Sequence, residues 1–180
     1  MTSDAVFDPH GPGWLMYFTA RVAQGDELNS RGAIGLARSN DLVHWSLQPP
    51  VYAGGDFGQL EVPQVFAIAG RWYCVFCNAG EHWSRAYAKS VADAGHGAPV
   101  WGSHYLMAEH PLGPWTVAPG GFLDGALPCR RYAAKIVDAD AGLVLLGFDY
   151  WGADGRFVGE IGDPVPVTVD PRTGLLRLGA

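Results

Sequence analysis

The chain repeats one layout of short apolar segments three times, and this repetition constrains its fold more than any other feature. Each block contains an inner strand, a turn, an apolar strand, a longer loop, a further strand and a short outer strand. No segment keeps an apolar period of 3.6 residues, and 25 glycines and 13 prolines interrupt the chain throughout. The pattern therefore predicts an all-β chain.

The three repeat units span about residues 6–50, 57–118 and 128–180. Four short strands per unit, repeated radially, are typical of a β-propeller blade. We therefore expect residues 1–180 to form one partial β-propeller domain of about three blades, with a β-sandwich as the alternative. Propellers have typically about 4–8 blades. Three blades alone leave open faces and sheet edges, so we expect a homo-oligomer or missing N-terminal blades.

Composition excludes several classes of partner. The formal net charge is −6 with 12 Lys and Arg residues and no basic stretch, so we expect no nucleic-acid partner. No apolar run approaches the ~20 residues of a membrane span, so no membrane partner is expected either. The three cysteines, Cys74, Cys77 and Cys129, match no zinc spacing. We expect buried free thiols, no metal and no cofactor and, with no signal peptide visible, a cytoplasmic location.

Glu61 stands out in the second block. It directly precedes Val62-Pro63 and the apolar run 65–69. Proline is tolerated at the start of a strand and not in its middle, so Glu61 is expected at the mouth of a strand. A carboxyl group that apolar neighbours shield from water suits a general acid near neutral pH. The alternative is a solvated loop glutamate before an edge strand.

Asp8 shows a similar pattern in the first block. It is followed by Pro9 and, a few residues later, by the apolar run 14–20, whereas residues 1–5 form a short polar lead. This order predicts that Asp8 lies at the mouth of a strand, as Glu61 does. The alternative is that its carboxylate accepts hydrogen bonds within an Asp-Pro turn.

These motifs resemble those of the furanosidase superfamily, chiefly glycoside hydrolase family 32, with family 43 and the levansucrases as relatives. Phe7-Asp8-Pro9 resembles the Arg-Asp-Pro motif of the transition-state stabiliser, with Phe7 in place of arginine. Glu61-Val62-Pro63 resembles the Glu-Cys-Pro motif of the acid/base, with Val62 in place of cysteine. The stretches 39–45 and 131–135 resemble two further segments, and the resemblance covers nearly the whole chain.

The resemblance implies a five-bladed propeller, of which this chain carries roughly the last three blades. It implies a carbohydrate-active enzyme similar to a β-fructofuranosidase, which hydrolyses or transfers a glycosidic bond with Glu61 as acid/base and Asp8 as stabiliser. The Asn-Asp-Pro motif of the nucleophile does not precede Asp8. The alternative is therefore a non-hydrolytic or repurposed propeller that binds a small molecule or uses Glu61 and Asp8 in another acid-catalysed reaction.

Seven further residues are candidates for contact with a carbohydrate or other small-molecule ligand. They either lie near the two acids in sequence, open the third block, or belong to the long loop that could form a sugar-stacking wall. For Arg38, the alternative is an ordinary salt bridge. The candidates are Gln64, Arg38, His82, Trp83, Arg131, Tyr132 and Lys135.

Overall fold

The computed structural model of the protein describes residues 3–140 and 142–179, and for residues 3 and 4 it describes the backbone alone. The described chain forms three antiparallel sheets in sequence order. The first has the strand order β1-β2-β3-β4. Its strands are β1 (Ser3–Phe7), β2 (Trp14–Arg21), β3 (Gly32–Ser39) and β4 (Ser46–Tyr52).

The second and third sheets each contain five strands. The second has the order β5-β6-β7-β8, with β9 also paired to β7. Its strands are β5 (Glu61–Ile68), β6 (Arg71–Asn78), β7 (Trp101–Ala108), β8 (Thr116–Val117) and β9 (Asp124–Ala126). The third has the order β10-β11-β13-β14, with β12 also paired to β11. Its strands are β10 (Arg131–Ala139), β11 (Gly142–Trp151), β12 (Phe157–Ile161), β13 (Val165–Val169) and β14 (Leu176–Leu178).

The second sheet is covered on both faces by the other two. Successive side chains of a strand point to opposite faces, and β6 is apolar on both. Cys74 and Phe76 join a core cluster with the first sheet, whereas Tyr73 and Val75 join a second cluster with the third sheet. The first cluster also contains Leu15, Ile34 and Leu106, and the second contains Ile136, Leu145 and Val167.

The prediction of a mainly β chain is confirmed, and one helix is an exception to it. Helix α1 (Arg85–Asp93) lies in the segment that the sequence pattern assigned to a long loop. The side chain of Ser84 caps the helix by accepting a hydrogen bond from the backbone N–H of Tyr87. Tyr87 and Val91 form its buried face, and a helix of this length is too short for a sustained period. No helix in residues 3–140 and 142–179 is long and apolar enough to cross a membrane.

Strand β1 corrects the interpretation of the N-terminal segment. Its residues were treated as part of a polar lead and Asp8 as the residue before the first strand. In the structure β1 pairs with β2, from Ser3 opposite Phe18 to Phe7 opposite Trp14. Asp8 therefore follows β1 and lies in the turn to β2.

The two ends of the sheets differ in their connections. β1 contacts β5. Thr19 follows Phe18, which pairs with Ser3, and the hydroxyl of Thr19 donates a hydrogen bond to the carbonyl oxygen of Leu60 at 2.8 Å. The start of β5 therefore lies beside the start of β1. We call this side the loop end, because the connections 22–31, 53–60 and 79–100 lie there. The opposite side, with the connections 8–13, 69–70 and 109–115, is the turn end.

Candidate active site

Two matching bulges position Glu61 and Tyr132 at the loop end. In β5 the register with β6 shifts between Glu61 and Gln64, and in β10 the register with β11 shifts between Tyr132 and Lys135. The second residue of each bulge has a positive φ, 45° at Val62 and 52° at Ala133. A bulge re-aims the side chains around it, so Glu61 and Tyr132 occupy equivalent positions in neighbouring sheets.

Tyr132 contacts Glu61 directly. The phenolic hydroxyl of Tyr132 donates a hydrogen bond to Oε2 of Glu61 at 2.8 Å. Burial and then the hydrogen bond to the Glu61 carboxylate raise the pKa of Tyr132, so it remains a protonated donor at neutral pH. The ring of Trp101 lies 6.0 Å from that of Tyr132 and forms part of the same surface.

Gln59 completes the hydrogen bonding of Glu61. The side-chain amide of Gln59 makes all its hydrogen bonds in one orientation. Its nitrogen donates to Glu61 Oε1, and its oxygen accepts from Arg21 Nη2 at 3.0 Å and His82 Nε2 at 3.3 Å. The buried Asn78 donates from its side-chain amide to the carbonyl oxygen of Gln59. Both carboxylate oxygens of Glu61 thus accept a hydrogen bond, and these bonds fix the orientation of the side chain.

The sequence analysis did not select Gln59, Arg21 or Asn78. Gln59 lies two residues before Glu61, but no local pattern indicates that its amide turns back to the carboxylate. Arg21 belongs to β2, and only the packing of the first sheet on the second brings it to β5. Asn78 ends β6, and pairing of β6 with β5 within the second sheet brings it to the site. Of the predicted ligand-contacting residues, His82 and Tyr132 are therefore the two that lie in the Glu61 cluster.

The structure does not bring Asp8 and Glu61 together, in contrast to the expectation that the two act on one glycosidic bond as stabiliser and acid/base. Glu61 begins β5 at the loop end, whereas Asp8 follows the five residues of β1 at the turn end. At ~3.3 Å per strand residue, the two ends lie roughly 16 Å apart. Asp8 is 2% exposed, and its Oδ2 lies 2.8 Å from Nη1 of Arg38. Its Oδ1 accepts a hydrogen bond from the backbone N–H of His10.

Gln64 and Lys135 tie the second sheet to the third. The side-chain amide of Gln64 donates to the carbonyl oxygen of Ile136 and accepts from its N–H, both at 2.8 Å. The ammonium group of Lys135 donates to the carbonyl oxygens of Val62 and Pro63 at 2.9 and 3.2 Å. These hydrogen bonds to the backbone connect the two sheets, and contact of Gln64 or Lys135 with a ligand stays a prediction.

Trp83 is a core residue and not a wall of the site. Its side chain is 5% exposed, stacks on Phe122 at 4.7 Å between ring centroids, and contacts Phe57 and Tyr87 edge-on or tilted. The prediction of a sugar-stacking surface at Trp83 is therefore wrong. The physical reason is that the 53–60 connection, α1 and the 118–123 segment pack against the indole through Phe57, Tyr87 and Phe122.

Arg131 lies next to Tyr132 but faces away from the Glu61 cluster. It is 8% exposed, with Nη1 at 3.0 Å from Asp124 Oδ2 and Nε at 3.3 Å from Asp149 Oδ1. This arginine joins the second sheet to the third through two carboxylates. Its guanidinium group is thus directed to Asp124 and Asp149, and the predicted contact of Arg131 with a ligand stays a prediction.

The described residues contain no group of three or more His, Cys, Asp or Glu side chains that could hold a metal ion. All three cysteines are free and buried, as predicted. Cys77 pairs with Glu61 across β5 and β6, and burial raises its pKa. Burial likewise raises the pKa of Cys129 to about 11, so both remain neutral thiols at neutral pH.

No model of a known protein family matches the chain, and no curated protein matches it. Solved structures do. An inulosucrase from Halalkalicoccus jeotgali bound to kestose aligns at 17% identity with a TM-score of 0.74, over 98% of this chain and 48% of that chain. A levansucrase from Gluconacetobacter diazotrophicus aligns at 16% identity with a TM-score of 0.74, over 98% of this chain and 44% of that chain.

A β-fructofuranosidase from Microbacterium saccharophilum K-1 aligns at 15% identity with a TM-score of 0.73, over 98% of this chain and 42% of that chain. The described sheets therefore have the fold of part of a furanosidase-type domain, and the predicted resemblance to this superfamily is confirmed for the fold. The chain spans less than half the length of the solved structures that it matches.

Proposed function

We propose that the chain is the acid/base-bearing part of a furanosidase-type β-propeller that hydrolyses or transfers a glycosidic bond, with a fructoside as substrate. The observation that carries this proposal is the position of Glu61. Its two carboxylate oxygens are held by Tyr132 and Gln59 at the end of the sheets that bears the long connections. Such connections usually carry the binding and catalytic groups of a scaffold.

Glu61 acts in both halves of the proposed reaction. Its carboxylic acid donates a proton to the glycosidic oxygen as the bond from the anomeric carbon to that oxygen breaks. The resulting carboxylate then takes a proton from the incoming water or sugar hydroxyl, whose oxygen forms the new bond to the anomeric carbon. Tyr132 and Gln59 keep the carboxyl group in one orientation through both steps.

A retaining glycosidase also needs a second carboxylate ~5–5.5 Å from the first. The position of Asp8 at the turn end argues against this role for it. Strand β1 instead places the backbone of Asp4 at the loop end, where it pairs with Tyr17. In this proposal the three sheets are three blades of five, and the remaining blades, with a nucleophile, come from further residues or from a second copy of the chain.

The test is turnover of sucrose, an inulin oligomer and an aryl arabinoside by the wild-type protein and by Glu61→Gln. We expect Glu61→Gln to lower the rate by roughly 10²–10⁴-fold, which is the usual contribution of a general acid/base. Glu81→Gln is the matched control, because Glu81 is an exposed glutamate at the same end. Turnover that survives in Glu61→Gln, or its absence from the wild type on all three substrates, would contradict the proposal.

A second candidate is a propeller that binds a saccharide without cleaving it. The observation that favours it is that Asp8, the second predicted catalytic acid, lies at the turn end in an ion pair with Arg38 and not beside Glu61. Binding of sucrose or the inulin oligomer to the wild-type protein with no product formed, and with unchanged affinity in Glu61→Gln, would favour this candidate over the enzyme.

A further inference from the structure

A groove opens at the loop end, between the second and third sheets. It has a volume of about 610 Å³ and lies between the 126–130 connection and the hairpin of β11 and β12. Such a volume is within the range of pockets that hold small organic ligands. The residues that matter for its chemistry are Pro128, Arg130, Asp149, Trp151, Val158 and Glu160.

The groove holds two carboxylates on neighbouring strands. Asp149 of β11 lies directly opposite Glu160 of β12. Like charges in this position destabilise a sheet. Nε of the buried Arg131 lies 3.3 Å from Asp149 Oδ1, and this ion pair, shut off from solvent, fixes Asp149 at the floor of the groove. Glu160 is exposed, so its carboxylate is the hydrogen-bond acceptor that the groove offers to a ligand.

Trp151 supplies a fixed aromatic surface beside these carboxylates. Its indole is partly buried and is held edge-on against Tyr150 and Phe157, with ring centroids 5.2 and 6.1 Å away. Arg130 and Arg131 oppose the charges of Asp149 and Glu160, so the groove has little net charge. An aromatic face beside hydrogen-bond acceptors, in a nearly neutral groove, suits a neutral polyhydroxylated ligand.

The groove adjoins the Glu61 cluster. Arg131 directly precedes Tyr132, whose hydroxyl bonds Glu61. Ala126, on the groove wall, pairs with Trp101, whose ring lies 6.0 Å from Tyr132. A ligand that leaves the Glu61 cluster over Trp101 and Tyr132 therefore arrives at the groove.

We propose that this groove binds the distal units of an oligosaccharide whose reacting bond lies at Glu61. The proposal rests on the function proposed above for Glu61 and adds the class of substrate to it. The preferred substrate is longer than a disaccharide, and Trp151, Asp149 and Glu160 contact the units farthest from the bond that is cleaved.

The experiment measures binding by isothermal titration calorimetry, with Glu61→Gln present to prevent turnover. Sucrose, kestose and an inulin oligomer are the probes. We expect the oligomer to bind at least roughly tenfold more tightly than sucrose, a difference of about 1.4 kcal/mol. Adding Trp151→Ala or Glu160→Gln removes most of this gain and leaves sucrose binding unchanged. Ile161→Ala and Asp154→Asn are the controls, because both side chains are exposed and outside the groove lining.

Circular dichroism checks that each variant is folded, and Glu160→Gln serves if Trp151→Ala does not fold, since Glu160 is exposed. Equal affinity for sucrose and the oligomer, or a length dependence that both groove variants retain, would overturn the groove proposal. Turnover of the aryl arabinoside under those outcomes would leave the role of Glu61 intact. If the groove variants lose oligomer binding and the wild-type protein shows no turnover, the result would support saccharide binding in the groove and exclude the proposed catalysis by Glu61.

Discussion

Glu61 and Asp8 are two carboxylates that look alike in sequence and differ in every physical respect in the structure. Each is followed closely by proline and then by a strand. Glu61 is partly buried at the loop end, and neutral donors from two other segments hold it. Asp8 is fully buried at the turn end and is paired with a guanidinium group. The difference lies in the position of each acid relative to the first strand of its sheet. Glu61 begins β5, whereas Asp8 follows the last residue of β1.

The comparison indicates how such sites can be told apart. A buried carboxylate that an arginine neutralises contributes to the fold, because removing either partner leaves an uncompensated charge. A carboxyl group that a tyrosine and an amide hold is fixed in orientation, and in the proposed function it exchanges a proton with a ligand. The following experiments challenge this distinction between the two ends.

The largest expected effect separates the two acids by stability. Asp8→Asn should lower the free energy of unfolding by about 3 kcal/mol, because Arg38 loses its partner beside the core. Glu61→Gln should change it by less than ~1 kcal/mol, because Gln59 and Tyr132 can rearrange around a neutral amide. Urea unfolding measures both. Equal losses in the two variants would mean that both acids serve the fold.

The next effect tests whether a loss of activity at acidic pH comes from unfolding of the chain and not from the Glu61 site. Burial lowers the pKa of His104 from 6.5 to about 4, and its Nε2 donates to the carbonyl oxygen of Ala118. The unfolded chain therefore takes up this proton below pH 6.5 while the folded chain does so only near pH 4.

Stability should therefore be complete above pH 6.5 and fall by about 3 kcal/mol between pH 6.5 and 4 through His104. His104→Gln should flatten this part of the curve of unfolding free energy against pH, measured by urea unfolding at several pH values. An unchanged slope in the variant would exclude His104 as the cause.

A smaller effect concerns the ties between the sheets. Gln64→Leu should cost about 2 kcal/mol of unfolding free energy, because the buried Ile136 loses partners for both its N–H and its carbonyl oxygen. Gln48→Leu is the control, because the side-chain amide of Gln48 donates to the carbonyl oxygen of the nearby Ser46 on the surface and connects no sheets. If Gln64→Leu leaves stability unchanged and instead weakens saccharide binding, then Gln64 is a ligand contact as the sequence suggested.

The smallest effect compares Tyr132, which bonds Glu61, with Tyr17, whose hydroxyl bonds the turn-end connection 109–115. Tyr132→Phe removes the donor to Glu61 and should lower turnover roughly tenfold, with an unfolding free energy within ~1 kcal/mol of wild type. Tyr17→Phe removes the hydroxyl that donates to the carbonyl oxygen of Pro111, and it should leave turnover per folded molecule unchanged. Steady-state rates and urea unfolding of both variants decide the matter. A loss of turnover in Tyr17→Phe would remove the distinction.

Much of the fold could be predicted from local patterns. The apolar runs around Trp14, Tyr73 and Leu145 all lie in strands of the core, because alternation and turn residues act over a few positions. The first strand was missed because its residues are not strongly apolar, and pairing with β2 decides its conformation. Helix α1 was missed because nine residues bury only Tyr87 and Val91.

The candidate site was predicted less completely. Glu61, His82 and Tyr132 were selected from sequence and do meet. Trp83 and Gln64 have suitable chemistry, but burial of the indole and pairing with Ile136 use them for packing. Arg21 carried no signal, since its role depends on contact between separate sheets, and Gln59 carried none because no local pattern turns its amide back to Glu61.

The sequence by itself determined the class of fold and placed Glu61 and Asp8 next to strands, because both depend on the short-range order of apolar, turn and acidic residues. The tertiary structure alone decided which acids share an end of the molecule. A strand carries its two termini to opposite edges of a sheet, so one unrecognised strand of five residues moved Asp8 away from Glu61. The bulges at Val62 and Ala133 then brought Glu61 to Tyr132, a contact between residues 71 positions apart.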